Sequence, residues 1–172
     1  MRVYTDYISG DEFMSDSYPS VVSMEEACLE VKAKYVTKGA EHVDIGANPS
    51  AEGGDDEGAD DAAGETVIDI QDKFNLQEVQ GFSKAEFLSW ARGYLKKVTA
   101  RLNENNPDRV PGFKKGATEL VKLIAGKFSE MQIFTGEKMD YDGAFCFAYQ
   151  KEQEDEGPTF LFFKDGLKEM KY

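Results

Sequence analysis

The chain has 172 residues, of which 41 % are hydrophobic, and its 20 Lys and Arg against 33 Asp and Glu give a net charge of −13. This composition can build one domain with a hydrophobic core and argues against wholesale disorder. It also disfavours nucleic-acid binding, which needs excess positive charge, and no run reaches the roughly 20 apolar residues of a membrane span. We therefore predict one soluble domain over residues 1–172, with no nucleic-acid or membrane partner.

The N-terminal part of the sequence alternates in a way typical of β-strands. The β-branched and aromatic residues along 3–8 predict a strand. Apolar and polar residues alternate more clearly along 29–36, which predicts a strand with one solvated face. Residues 39–65 follow, with nine acidic residues, no Lys or Arg and no aromatic residue. Such a stretch cannot bury enough apolar area to offset the entropy of ordering it, so we predict a long mobile acidic loop. A strand is predicted again over 66–70.

Residues 82–128 change to a helical period. Ser83 and Glu86 form the sequence pattern of a capping box. Buried positions are then predicted along one continuous stripe of the first helix, at Phe87, Ala91, Tyr94, Val98 and Leu102. A second apolar stripe follows the break at Asn105-Asn106-Pro107. Two helices joined by so short a turn predict an antiparallel hairpin.

The hairpin is basic although the chain is acidic. Residues 82–127 carry ten basic and four acidic residues, a local charge of +6. Arg92, Lys96, Lys97 and Arg101 are candidates for docking an acidic partner. The alternative, that they are a solvated helix face, stays open at this point.

The C-terminal third is predicted to return to strands, at 144–149 and 159–163. Residues 159–163 are apolar on both faces, which indicates a central strand. Strands, an inserted helical hairpin and further strands are typical of the α+β class.

Residue types needed for covalent catalysis are scarce. His42 is the only histidine and lies beside the predicted loop, which argues against Ser/His and Cys/His nucleophiles. Cys28 and Cys146 sit in apolar runs and are expected to be buried thiols in a reducing cytoplasm. We expect a protein that binds other proteins, that is not an enzyme and that requires no cofactor.

Two separated motifs carry a resemblance to a known family. Residues 45–53, IGANPSAEG, resemble the first signature of the translationally controlled tumour protein (TCTP) family, and residues 128–143 resemble its second. Residues 8–12, 107–110 and 162–167 agree with the family as well. The resemblance covers the whole chain.

The resemblance implies a fold and a set of partners. The fold is a tent-like arrangement of small β-sheets with a protruding helical hairpin and a flexible acidic loop. The implied function is that of a cytoplasmic protein that binds calcium weakly, associates with tubulin and microtubules, and acts on growth and survival. The fold is also similar to that of a zinc-containing protein that binds Rab GTPases, so regulation of a Rheb-type small GTPase is a second implied function.

Particular residues correspond to the family's proposed sites. Glu12 matches the acidic residue implicated in GTPase regulation. The alternative interpretation is a solvated turn carboxylate that follows Gly10-Asp11. The proposed calcium site maps onto Glu130 and Gln132, and two oxygen donors predict weak binding. Animal members often end in a cysteine proposed to form a disulfide dimer, whereas this chain ends in Tyr172, so we expect a monomer.

Overall fold

A computed structural model describes residues 2–37 and 65–171, and it combines strands with helices. The strands, in chain order, are β1 (Arg2–Asp6), β2 (Glu12–Ser15), β3 (Ser20–Ser23), β4 (Cys28–Lys32), β5 (Tyr35–Thr37), β6 (Thr66–Ile68), β7 (Gln77–Glu78), β8 (Gln132–Thr135), β9 (Phe145–Tyr149), β10 (Thr159–Phe163) and β11 (Leu167–Lys171). The α-helices are α1 (Asp69–Phe74), α2 (Lys84–Asn105) and α3 (Val110–Gly126), and 3-10 turns span Pro107–Arg109, Phe128–Glu130 and Lys164–Gly166.

Among the described residues the strands form several small antiparallel sheets. Three strands pair in the order β11-β1-β2, six in the order β3-β4-β10-β9-β8-β7, and β5 pairs with β6. Strand β10 lies in the middle of the six-stranded sheet with all five residues buried. The prediction of a central strand over 159–163 is therefore confirmed, as is the α+β class with its helical hairpin.

Helices α2 and α3 form the predicted hairpin, and α2 packs its apolar stripe on the six-stranded sheet. All five predicted stripe residues of α2 are buried. Phe87 meets Phe147 edge to face at 5.2 Å between ring centroids, and Trp90 meets Phe145 in the same way at 5.0 Å. Aromatic pairs in this geometry stabilise the packing beyond what the burial of their apolar area contributes. None of the helices in the described parts of the chain is long and apolar enough to cross a membrane.

Three of the predicted strands differ from the observed ones. The strand predicted over 3–8 ends at Asp6, the last residue of β1. The strand predicted over 66–70 stops at Ile68, and helix α1 begins at Asp69, whose Oδ1 accepts the Ile70 N–H at 2.7 Å and the Lys34 N–H at 3.0 Å. The strand predicted over 29–36 is two strands, β4 and β5, with Ala33 and Lys34 between them. The predicted acidic loop over 39–65 lies outside the described residues except at Glu65.

Candidate functional site

Helix α2 begins with the predicted capping box. The Ser83 Oγ accepts a hydrogen bond of 3.1 Å from the Glu86 N–H, and the Glu86 Oε1 accepts one of 2.9 Å from the Ser83 N–H. This reciprocal pair satisfies two backbone donors that the first turn leaves without helical partners. The start of α2 is thereby fixed, and with it the direction in which its basic residues point.

Two of the four predicted docking residues contact the body of the protein. The Arg101 guanidinium lies 4.5 Å from the centroid of the Tyr7 ring, and its Nη1 donates a hydrogen bond of 3.2 Å to the Asp165 carbonyl. The Lys97 Nζ donates to the Asp142 carbonyl at 3.3 Å. These two side chains hold α2 against the C-terminal segment and the loop before β9.

The other two predicted docking residues lie on the far side of α2. Arg92 and Lys96 are exposed and line an open groove of about 460 Å³ between α2 and α3. Lys114 of α3 lines the same groove from the opposite side. None of the ion pairs that join described residues involves these three cations. Sequence reasoning missed Lys114, although its place beside the buried Phe113 could have put it at the helix–helix contact.

A bidentate ion pair ties the turn of the hairpin to the C-terminal segment. The Arg109 Nε and Nη2 donate to the two carboxylate oxygens of Asp165 at 2.8 and 2.9 Å. Hydrogen bonding to Asp165 raises the pKa of Arg109 above its ordinary value. Parallel hydrogen bonds of this type fix orientation as well as distance, so the hairpin is a braced platform and not a free arm.

Glu12 occupies a well-defined position at the start of β2. It is exposed and pairs across the sheet with Thr5 of β1. The preceding Asp11 is 8 % exposed, and its Oδ2 accepts the Lys138 N–H at 3.0 Å. The Lys138 Nζ in turn donates to the Ser9 carbonyl at 2.9 Å. The backbone around the Glu12 carboxylate is thus held by the 136–144 loop.

Glu130 and Gln132, the predicted calcium ligands, are both exposed. Glu130 ends a 3-10 turn and Gln132 begins β8. Within residues 2–37 and 65–171 there is no group of three or more His, Cys, Asp and Glu that could hold a metal ion. The calcium site therefore stays a prediction, and His42 lies outside the described residues.

The two cysteines are free and buried, as predicted. Burial raises the pKa of the Cys28 thiol to about 11 and raises that of Cys146 well above its ordinary value. Both thiols are therefore protonated at neutral pH, whereas a thiol nucleophile acts as its thiolate.

Comparisons with known proteins agree with this fold over its full length. The family model of the translationally controlled tumour protein matches residues 1–168. A solved structure of a translationally controlled tumour-associated protein from Schizosaccharomyces pombe is 37 % identical, with a TM-score of 0.79 and 100 % of both chains covered. The structure of the translationally controlled tumour protein from Caenorhabditis elegans is 30 % identical, with a TM-score of 0.71, covering 100 % of this chain and 99 % of the other.

Proposed function

Since the chain belongs to the translationally controlled tumour protein family, we propose that it is a cytoplasmic, non-enzymatic protein-binding module that docks acidic partners on its helical hairpin. Tubulin, whose tails are strongly acidic, is the partner class of first choice, and growth and survival are the processes served. Weak calcium binding at Glu130 and Gln132 and a monomeric state belong to the same proposal.

One observation carries the docking proposal. Arg92, Lys96 and Lys114 converge on one groove and take part in none of the ion pairs between described residues, while the chain as a whole carries −13. Unpaired cations on an otherwise acidic protein attract acidic segments to that place and repel them elsewhere. The platform on which they sit is braced by Arg109 and Asp165, so little ordering has to accompany binding.

Microtubule co-sedimentation at low and at physiological salt tests this function. Wild-type protein should pellet with microtubules at low salt and less so as the Debye length shortens toward about 8 Å. The variant Arg92→Glu/Lys96→Glu should pellet less than wild type at each salt concentration, because exposed charges set the rate of association. Its control, Lys115→Glu/Lys122→Glu, makes the same change of charge on exposed α3 residues outside the groove. Equal loss in both variants would show that only total charge matters.

A second candidate function is regulation of a Rheb-type small GTPase through Glu12. The observation that favours it is the exposed Glu12 carboxylate on a backbone held by Asp11 and Lys138. An exposed carboxylate of this kind can compete with phosphate oxygens for Mg²⁺, which prefers oxygen ligands. In a nucleotide-release assay, the Glu12→Val variant should no longer change the rate at which the GTPase releases its nucleotide, as the wild-type protein does. Equal release rates with the variant and with the wild-type protein would rule out this candidate.

A further inference from the structure

The groove between α2 and α3 is lined by apolar residues as well as by basic ones. Leu95 is partly buried along it, and the fully buried Phe113 and Ala117 lie against it. The described residues that line it include no Asp or Glu. It is therefore an apolar cleft with a basic rim.

A basic rim alone would bind an acidic segment weakly. Exposed ion pairs contribute between about 0 and 1 kcal/mol each, and salt screens them. Affinity at such a site depends on a side chain that is desolvated at its centre, while the surrounding charges steer and orient. The cleft offers a place for that central side chain, since its volume of about 460 Å³ is ample for a leucine or phenylalanine.

We propose that this groove binds an acidic peptide segment that carries an apolar anchor residue. The anchor packs on the partly buried Leu95 and the exposed Ala100. The acidic residues on either side of it meet Arg92, Lys96 and Lys114. This deepens the proposed function and rests on it, because it names the feature of an acidic partner that the hairpin selects. A purely acidic tract is then a weak partner, and an apolar segment with basic flanks is excluded.

Two labelled peptides test the proposal by fluorescence anisotropy with the full chain. One is a 12-residue Glu/Asp peptide with a single central Leu, and the other has Ser in place of that Leu. Burying a leucine side chain is worth enough that the Leu peptide should bind at least about tenfold more tightly. Equal affinities for the two peptides would overturn the proposal.

A variant that fills the groove without changing its charge separates the contribution of the anchor residue to affinity from that of the basic rim. Ala100 is exposed on α2 and lines the groove, so Ala100→Trp should abolish the preference for Leu while leaving the affinity for the Ser peptide within about twofold. Ala100→Leu is a smaller substitution for the same purpose if the tryptophan disturbs folding. Arg92→Glu/Lys96→Glu should weaken both peptides, and Lys115→Glu/Lys122→Glu should weaken them by less than about threefold.

The outcomes distinguish this inference from the function on which it rests. If both peptides bind alike and lose affinity only with Arg92→Glu/Lys96→Glu, the hairpin docks acidic partners but has no anchor site. If neither peptide binds, both the docking function and the anchor site are wrong. If single-stranded DNA of 12 nucleotides displaces the Leu peptide as well as unlabelled peptide does, the groove is a general polyanion site and the anchor proposal fails.

Discussion

The Asp6 carboxylate, which is 1 % exposed, accepts a hydrogen bond of 2.8 Å from the backbone N–H of Ala144, 138 residues later in the chain. The oxygen that accepts from Ala144 is Oδ2, which also accepts a hydrogen bond of 2.8 Å from the Ser9 Oγ. The other oxygen, Oδ1, accepts from the Ile8 N–H at 3.1 Å. A Cβ on Gly143 would collide with the Asp6 Oδ2. The end of β1 and the loop before β9 are thus joined by a buried carboxylate that accepts hydrogen bonds from both segments.

Replacing this carboxylate should destabilise the fold. In Asp6→Asn an amide replaces one acceptor oxygen, so that an N–H group faces backbone donors and charge-assisted hydrogen bonds are lost. We expect the free energy of unfolding to fall by about 2–3 kcal/mol, as measured by urea denaturation. Asp108→Asn, at an exposed position, is the control and should change it by less than about 0.5 kcal/mol. An Asp6→Asn protein as stable as wild type would contradict the role given to Asp6.

A second prediction concerns the contact between Gly166 and the buried Tyr94. A Cβ on Gly166 would overlap the Tyr94 hydroxyl, so Gly166→Ala should lower the free energy of unfolding by about 1–3 kcal/mol. Adding Tyr94→Phe removes the hydroxyl and should recover part of that loss in a double-mutant cycle. Gly93→Ala is the control, because a Cβ there meets no atom within 4 Å and alanine favours the helix by about 1 kcal/mol. Additive single effects would show that the two residues do not interact.

The third prediction concerns stability at alkaline pH. Burial raises the pKa of Cys28 from 9.0 to about 11, so the folded protein holds this proton more firmly than the unfolded chain does. The resulting stability is fully present below pH 9 and is lost as pH rises toward 11. By pH 10 the loss should reach about 1 kcal/mol.

Cys28→Ala isolates this contribution. The pKa values of Tyr4, Tyr7, Tyr18 and Tyr149 are also raised by burial, and they act in the same direction in wild type and variant. The variant should therefore lose less stability than wild type between pH 8 and pH 10 in urea titrations. Parallel pH profiles would show that the Cys28 thiol does not titrate differently on unfolding.

The fourth prediction concerns calcium. Two exposed donors, Glu130 and Gln132, are few for an ion that takes 6–8 oxygen ligands, so calorimetry should give a Kd in the high micromolar to millimolar range. Glu130→Gln/Gln132→Ala should weaken binding several-fold if these residues are ligands. A Kd below about 1 μM would contradict the prediction of a weak site.

The sequence predicted the elements whose signal is local. The α2 stripe from Phe87 to Leu102 is buried throughout, because a 3.6-residue period directs its members to one side. The capping box at Ser83 depends only on a spacing of three residues. The strand predicted over 144–149 is likewise present as β9, and all five of its residues are buried.

What the sequence did not predict depends on contacts between distant segments. The strand expected over 29–36 is interrupted opposite Pro158, which accepts the Ala33 N–H but has no N–H to donate in return. At Lys34 the backbone N–H and carbonyl pair with Asp69 instead of with a strand. The helix after Ile68 begins at Asp69, whose carboxylate binds the Lys34 N–H. No local pattern contains these partners. For the same reason, the helical spacing of the four docking candidates could not show that Arg101 lies over Tyr7.

The last prediction divides those four basic residues into two pairs. Lys97 and Arg101 contact the body of the protein through the Asp142 and Asp165 carbonyls. In Lys97→Glu/Arg101→Glu these contacts are lost and a carboxylate approaches two carbonyl oxygens, which should lower the free energy of unfolding by about 1–3 kcal/mol. Arg92→Glu/Lys96→Glu, whose side chains line only the groove, should change it by less than about 0.5 kcal/mol.

Binding should show the opposite order. At low salt and at a temperature where both variants are folded by circular dichroism, Arg92→Glu/Lys96→Glu should reduce microtubule co-sedimentation more than Lys97→Glu/Arg101→Glu does, because charge in the groove meets the partner directly. The two variants carry the same net charge, so a difference between them cannot come from long-range repulsion alone. If the Lys97/Arg101 variant loses as much binding while remaining folded, the docking surface includes the side of α2 that faces Tyr7, and the groove is not its centre.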